Sequence, residues 1–255
     1  MKRAFPKSFF LQKLFNSIIG IFIPIFIYKY VFFEHLSTQF TTYSKTSDYI
    51  IYISLGHLAN IISFSTLLNV GRCIISEIRE GTIDVFVLSP ASRIGYFLGV
   101  YTEQISRTFL EVLFVIVILL FLGINLVTPY ILVIIMVLTC ITSIASFSMA
   151  MMLASLMVFT RDTFITQNTL FFIMSIICGV SFPIEFLPQP VQFLSYLLPL
   201  TYSTKLFRNV LVLNSSLIQN WLLIVVMIVL GSIYFALGFA WYKKLEKKII
   251  EDVFS

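Results

Sequence analysis

The chain has 255 residues, of which 59% are apolar and only 11% carry a charge. Ordinary soluble domains hold about 45–50% apolar and about 25% charged residues, and their charged side chains lie on the surface. This composition excludes a soluble enzyme, a disordered chain and a nucleic-acid-binding domain, although the net charge is +5.

Long stretches of the chain lack ionisable side chains, as between Glu111 and Arg161 and between Arg208 and Lys243. A helix needs about 20 mostly apolar residues to cross the roughly 30 Å hydrocarbon layer of a membrane. Residues 112–122 are apolar without alternation, which favours a helix over a β-barrel strand. The sequence predicts an all-α polytopic membrane protein with one domain over 1–255 and six transmembrane helices at about 14–33, 49–70, 106–124, 130–158, 164–182 and 221–242.

The basic residues predict the orientation of these spans. With both termini in the cytosol, the only Lys and Arg residues left outside are Lys29, Lys45, Lys205 and Arg208, in agreement with the positive-inside rule. The basic character therefore indicates a multi-pass protein of the plasma (cytoplasmic) membrane, in contact with lipid and not with nucleic acid.

Residues 2–15 alternate Phe and Leu with Lys. This pattern predicts an N-terminal amphipathic helix on the cytosolic membrane surface before the first span. The alternative is a frayed tail.

The segment 71–104 is the only sizeable cytosolic loop and holds a large share of the charges. Opposite charges interleave at 77–84, and an apolar run follows at 85–88. Thr82 can act as the N-cap of a short amphipathic helix that the Ser89-Pro90 pair would end. This helix is either a docking surface for a soluble partner or part of a solvated loop, and the residues alone leave both interpretations open.

A second non-spanning segment, 182–220, is broken by Pro183, Pro188 and Pro190 but remains apolar. Such a segment is predicted to re-enter the membrane from outside or to cover a pore mouth. An amphipathic helix is predicted to follow at 201–213.

Ionisable residues at the cytosolic end of the third span follow a helical spacing. Glu103, Arg107 and Glu111 recur every four residues, which places them on one helical face. They predict an ion ladder that fixes this end of the helix, with a gate as the alternative. No metal site is expected, since the two histidines, His35 and His57, stand far apart.

Two motifs resemble the permease subunits of the ABC-2 export family. Residues 81–93 read GTIDVFVLSPASR, similar to the family loop G-T-x-(D/E)-x-L-x-x-(S/T)-P-x-(S/T)-R between the second and third spans. Residues 178–188 read CGVSFPIEFLP and precede LPLTY and Arg208, similar to the family pattern after the fifth span. Phe86 replaces a Leu, and Cys178 replaces a frequent Ser. The resemblance covers essentially the whole chain and is closest to the daunorubicin-resistance and nodulation-factor type exporters.

The resemblance implies an ATP-driven exporter in which a homodimer of this permease pairs with two copies of an ATP-binding cassette ATPase subunit. ATP and Mg would bind to that subunit. The present chain has no Gly-x4-Gly-Lys-(Ser/Thr) phosphate loop, so it is expected to bind no cofactor and to be no enzyme, with no catalytic residue. The 71–104 loop would dock on the ATPase and pass its closure to the spans. The residues expected to couple are Glu77, Arg79, Glu80, Gly81, Thr82, Asp84, Pro90 and Arg93.

In resembling exporters, the second and fifth spans line the path between the two copies. Polar residues inside a membrane are costly and are therefore candidates for function, although interhelical hydrogen bonding is a competing explanation. The substrate-path candidates are His57, Asn60, Gln167, Asn168, Phe171 and Phe182, and the candidates for an extracellular gate in the re-entrant segment are Pro183, Pro188, Pro199 and Tyr202.

The expected function is export of an amphipathic compound, such as a drug, an antibiotic or a lipid-like molecule, out of the cytosol or the inner leaflet. The aromatic-rich spans, without charge at mid-membrane, favour such a substrate. The alternatives are a permease for polysaccharide or lipid-linked glycan, and a membrane immunity or scaffold protein that binds a toxin without moving it.

Overall fold

The computed structural model describes residues 7–30, 33, 38–44, 46, 48–90, 92–124, 128–160 and 164–254, with backbone alone for 7–14, 16–17, 84, 87, 164–168, 171 and 247–254. These residues form eleven α-helices and one 3-10 turn (Ile184–Phe186), and no strand occurs among them. The helices are α1 (Lys7–Tyr30), α2 (Thr38–Ser44), α3 (Tyr49–Gly71), α4 (Cys73–Arg79), α5 (Ile83–Leu88), α6 (Arg93–Phe121), α7 (Pro129–Thr160), α8 (Phe164–Ile177), α9 (Gln189–Leu197), α10 (Pro199–Leu211) and α11 (Trp221–Phe254).

Within the described part of the chain, four helices are long and apolar enough to cross a membrane: α3, α6, α7 and α11. Helices α3 and α7 agree with the predicted second and fourth spans within two residues at each end. Helix α6 begins at Arg93, well before the predicted start at 106, because the Ser92 hydroxyl caps it by accepting a hydrogen bond from the Gly95 amide at 3.1 Å. Helix α11 likewise continues beyond the predicted end at 242. Helices α6 and α11 therefore each extend past their apolar stretch at one end, and the Ser92 cap sets the start of α6.

The first and fifth predicted spans differ from the structure. Helix α1 is continuous, so no break near residue 14 separates an interface helix from a span; residues 7–15 contain neither Gly nor Pro to cause one. Its apolar described part is Ile18–Tyr30. Helix α8 has 14 residues, or about 21 Å, less than the roughly 30 Å hydrocarbon layer. Six helices of spanning length are therefore not found among the described residues.

Helix α7 packs most extensively against α11 and α3. Helix α3 is the most enclosed of the four long helices: 72% of its most apolar stretch is buried, against 17% for α11. It joins two ends of the bundle, the α5 end after Gly71 and the α10 end around Tyr49, which lie about 33 Å apart along the helix. The central position of α3 makes it the element to which both ends are attached.

The segment between α8 and α11 turns back into the bundle. The Leu197 carbonyl, at the junction of α9 and α10, accepts a hydrogen bond from the Tyr234 hydroxyl at 3.0 Å. Tyr234 lies about 20 Å along α11 from its first residue, Trp221. The α9–α10 hairpin therefore runs alongside α11 rather than lying on the end of the bundle.

Helices α7 and α11 approach most closely at Gly238. A Cβ atom on this residue would lie 2.5 Å from the backbone nitrogen of Met152. The Gly238 carbonyl also accepts a hydrogen bond from the Ser155 hydroxyl at 3.1 Å. Small residues at such contacts let the helix backbones approach closely, and the resulting van der Waals packing contributes to helix association in lipid.

Gly238→Ala is expected to lower the free energy of unfolding by about 1–3 kcal/mol, because the added methyl group must push α11 away from α7. Gly99→Ala is the matched control, since a Cβ there meets nothing within 4 Å in a helix interior. It should raise the stability by up to about 1 kcal/mol. Unfolding of the purified protein in mixed micelles measures both, and equal behaviour of the two variants would contradict the close contact at Gly238.

Candidate functional site

The α5 end of the bundle contains two short helices that meet at a tight turn. Gly81 separates α4 from α5 with a φ of +69°, and a Cβ there would meet nothing within 4 Å. The Thr82 amide donates to the Glu77 carbonyl at 3.0 Å, which completes the C-terminal turn of α4. Gly81 is thus needed for its left-handed backbone and not for a close contact.

Glu77 is buried rather than solvated, with 8% of its surface exposed. Its carboxylate accepts hydrogen bonds from the Thr82 hydroxyl and, at 2.8 Å, from the Tyr96 hydroxyl of α6. Thr82 does stand at the N-cap position of α5, as predicted, but its hydroxyl bonds to Glu77 and makes no cap bond to α5. Glu77 therefore ties α4, the start of α5 and α6 together.

Arg93 connects the other end of α5 to two long helices. Its Nη1 donates to the Phe86 carbonyl at 2.9 Å, and its guanidinium lies 4.6 Å from the centroid of the Phe86 ring. Its Nε lies 2.5 Å from an oxygen of Glu246 on α11. Because Arg93 is the first residue of α6, this one side chain joins α5, α6 and α11.

Aromatic contacts complete this attachment. Phe86 packs edge-to-face on Tyr96 at 4.7 Å, and Phe97 packs in the same way on Tyr242 of α11 at 5.4 Å. Sequence reasoning missed Tyr96 and Glu246. Tyr96 stands one helical turn after Arg93 and was within reach of a spacing argument, whereas nothing local in the sequence links Glu246 to a residue 153 positions earlier.

The outer face of α5 is left uncovered. Val85 is 73% exposed and Leu88 is 66% exposed. Around them the predicted coupling residues Arg79, Glu80, Gly81 and Pro90 are also exposed, while the Asp84 side chain lies outside the described residues. The structure therefore combines a firmly attached helix with an apolar tip that points away from the rest of the chain.

Of the predicted substrate-path residues, the two on α3 face other helices of the same chain. The His57 ring packs on α1, where a Cβ on Gly20 would lie 2.0 Å from its Cε1 atom. Asn60 is 1% exposed, and its Nδ2 donates to the Ser175 hydroxyl of α8 at 3.3 Å. Phe182 is half-buried in the bend after α8. The remaining three, Gln167, Asn168 and Phe171, belong to α8, but their side chains lie outside the described residues.

The three residues of the predicted ion ladder divide between two environments. Arg107 and Glu103 form an ion pair at the surface of α6. Glu111 is 4% exposed and accepts a hydrogen bond from the Ser65 hydroxyl of α3 at 2.7 Å. Helix α6 thus carries a surface ion pair at 103–107 and, one turn further along, a buried hydrogen bond to α3 at Glu111.

At the α10 end, the carbonyls that end α8 are satisfied by side chains from other helices. Helix α8 stops because Gly179 adopts a φ of +71° and Pro183 follows. The last carbonyls of any helix have no partner within it. Here the carbonyls of 177–180 accept, in chain order, from the side chains of Ser195 (2.6 Å), Thr204 (3.0 Å), Tyr52 (3.2 Å) and Arg208 (3.0 Å).

The predicted gate residues lie at the turns of this region. Pro183 is buried before the 3-10 turn, and Pro188 is exposed before α9. Pro199 is buried at the first position of α10, where a missing amide costs nothing. The Tyr202 hydroxyl donates to the Tyr196 carbonyl at 2.9 Å and joins α10 to α9. All four shape the α9–α10 hairpin and its approach.

Arg208 is the residue that fixes α10 to α3. Its Nη2 donates to the Tyr52 carbonyl at 3.1 Å, and its guanidinium carbon lies 3.4 Å from the centroid of the Tyr52 ring. Gly56 leaves the space for this group, since a Cβ there would lie 2.5 Å from Nη2. Burial lowers the pKa of Arg208 to about 10, against opposing effects of Tyr52 and Glu185, so the side chain stays protonated at neutral pH.

Most of the chain matches one known protein family. The family described as ABC-2 type transporter matches residues 4–212, which is most of the chain. The match includes α5 and the α9–α10 hairpin and ends before α11. A search of curated proteins found no match.

Arg208→Lys is expected to lower the free energy of unfolding by about 1–3 kcal/mol, because one ammonium group cannot replace the donors that satisfy two buried carbonyls. Arg107→Lys is the matched control, because its i,i+4 pair with Glu103 is partly exposed and contributes about 0.5 kcal/mol or less. Unfolding in mixed micelles compares the two variants. Equal losses would contradict the special role of Arg208.

Proposed function

Because the chain belongs to the ABC-2 type transporter family, we propose that it is the permease subunit of an ATP-driven exporter. A separate ATP-binding cassette subunit, in two copies, would hydrolyse ATP with Mg. The observation that supports this most directly is the α5 end, where an apolar tip is exposed on a helix that is tightly held by the long helices.

The exposed tip has the properties of a docking surface. Val85 and Leu88 place apolar surface in water, where it costs free energy unless a partner covers it. The exposed Arg79 and Glu80 beside them supply charge of both signs for orientation. We therefore assign contact with the ATPase to these residues together with Gly81, Thr82, Asp84 and Pro90.

The attachment of the tip provides a route for coupling. A force applied to α5 reaches α6 and α11 through Arg93 and reaches α4 through Glu77. These contacts are short, buried or half-buried, and made from both ends of a six-residue helix. Movement of α5 with the ATPase would therefore move the long helices as a rigid body.

We further propose six spans, with both termini in the cytosol of a plasma-membrane protein and with α9–α10 as the re-entrant segment. Helix α1 would be the first span. Helix α8 would be the fifth, completed on the outer side by the bend and the 3-10 turn. The return of the hairpin to Tyr234 supports this arrangement, since non-helical backbone at membrane depth must be enclosed by protein.

A second copy of the chain is proposed to cover α1 and α8. Phe22 and Phe26 of α1 are 46% and 60% exposed, and Phe172 of α8 is 67% exposed. His57 and Asn60 contact these same two helices from α3. The substrate path would then run between the copies along the exposed faces of α1 and α8, with His57 and Asn60 supporting these two helices from behind. The aromatic side chains on these faces suit an amphipathic drug, antibiotic or lipid-like compound. A glycan substrate would instead require polar groups along this surface.

The double variant Val85→Ser with Leu88→Ser is expected to abolish co-purification with the cognate ATPase subunit while leaving the fold intact, because both side chains are mostly exposed. Ile94→Ser is the matched control at the same end of the bundle, with 42% exposure on α6, and should keep the complex. Affinity purification from membranes measures the outcome. A complete complex with the double variant would contradict docking on α5.

Glu246→Gln is expected to keep the complex but to reduce substrate transport per ATP hydrolysed several-fold, because the charged tie between Arg93 and α11 is weakened. Arg93→Lys should act in the same direction, since Lys cannot bond Phe86 and Glu246 together. Transport and ATPase rates are measured together in proteoliposomes. Unchanged transport per ATP hydrolysed in both variants would contradict coupling through Arg93 and Glu246. Transport in the absence of nucleotide would exclude an ATP-driven exporter.

A further inference from the structure

A cavity of about 230 Å³ opens at the α10 end of the bundle. It lies between the end of α2, the first turn of α3, the 3-10 turn and α10. Its charged lining residues are Glu185, Lys205 and Arg208. The cavity is thus distinct from the α5 end, from which the length of α3 separates it.

The two cations of the cavity lie on successive turns of α10, three residues apart, and so face the same side. Arg208 uses Nε and Nη2 for the carbonyls of Tyr52 and Val180, which leaves Nη1 without a hydrogen bond among the described residues. The Lys205 ammonium lies 4.9 Å from the centroid of the Tyr196 ring. Both groups therefore keep donors that the described protein does not use.

Glu185 supplies one negative charge to the cavity, against the two positive charges of Lys205 and Arg208. Within the described part of the chain, neither Lys205 nor Arg208 forms an ion pair with Glu185, the one carboxylate in the lining. Burial lowers the pKa of Lys205, an effect that Glu185 opposes and Arg208 adds to. Two half-buried cations on one face of a helix repel each other, and an anion bound between them would relieve this repulsion.

The apolar residues that line the cavity indicate which kind of anion it can hold. Val212, Leu213 and Leu223 add apolar surface to the polar rim, and the neighbouring Trp221 is 61% exposed at the start of α11. Trp at the end of an apolar helix is typical of the headgroup layer of a membrane. The volume also exceeds what a single ordered water needs. An amphiphile with a charged head and an apolar body matches both parts of the lining.

We propose that this cavity binds a phosphate group at the level of the lipid headgroups, with Lys205 and Nη1 of Arg208 as its donors. Tetrahedral phosphate oxygens accept from a Lys and an Arg at once, and such charge-assisted bonds are the strong ones. Glu185, at the rim, opposes the anion and limits its affinity. The inference concerns binding alone and does not depend on transport or on the ATPase.

Isothermal titration of the full chain in maltoside micelles tests the site with two probes, dihexanoyl phosphatidylglycerol and inorganic phosphate. Lys205→Gln is expected to weaken binding at least tenfold, because a bond to a charged group is lost. Lys205→Arg should restore most of the affinity. Glu185→Gln should strengthen binding several-fold, a change that a merely structural role would not produce.

Lys29→Gln is the matched control, since Lys29 is an exposed cation at the same end of the bundle, outside the cavity. Binding of the lipid probe alone would identify a lipid headgroup as the ligand, and equal binding of inorganic phosphate would identify the free ion. The proposal is overturned if neither probe binds, or if Lys205→Gln and Glu185→Gln bind as the Lys29→Gln variant does. Thermal unfolding of each variant separates loss of the site from loss of the fold.

Discussion

The structure depends on satisfying the backbone carbonyls where α8 stops inside the helix bundle. A helix that ends in the interior of a protein leaves several carbonyls without partners in the helix, and each costs about 1–3 kcal/mol if it stays buried without a donor. Here side chains of α3, α9 and α10 supply the donors. The α9–α10 hairpin therefore stabilises the end of α8, because its Ser195, Thr204 and Arg208 donate hydrogen bonds to the last carbonyls of that segment.

The same solution appears at the α5 end in a different form. There the break between α3 and α6 is held by Glu77 and Arg93, each of which bonds to the backbone or side chains of two or more elements. At the α10 end, Ser195, Thr204 and Arg208 donate to carbonyls inside the bundle. At the α5 end, Glu77 and Arg93 hold α5 in place while its apolar side chains Val85 and Leu88 stay exposed. The contacts at the α10 end thus close the interior of the bundle, whereas those at the α5 end support an exposed apolar surface.

The sequence predicted the parts of the fold that depend on local composition. Helices α3 and α7 lie where continuous apolar residues placed them, and α5 begins after Thr82 and ends before Pro90 because the turn chemistry is local. The predicted start of the third span, at about 106, was wrong for α6, because the Ser92 cap and not the membrane surface sets where this helix begins. The contact of Arg93 with Glu246 and the contacts of Arg208 with the carbonyls of Tyr52 and Val180 were beyond prediction. These partners are far away along the chain, and no residue type in the sequence identifies a carbonyl that needs a donor.

These two sets of contacts constrain how an exporter built from this chain would move. Helix α3 is held to α10 by Arg208 and to α6 by Glu111 and Ser65, while α6 and α11 are joined to α5 by Arg93. Separating any of these elements would leave a buried or half-buried polar group without its partner, at a cost of about 1–3 kcal/mol for each group that stays buried and unsatisfied. Opening within one chain is therefore disfavoured. Under the proposed function, the alternating openings would form between the two copies, along the faces of α1 and α8 on which Phe22, Phe26 and Phe172 are exposed.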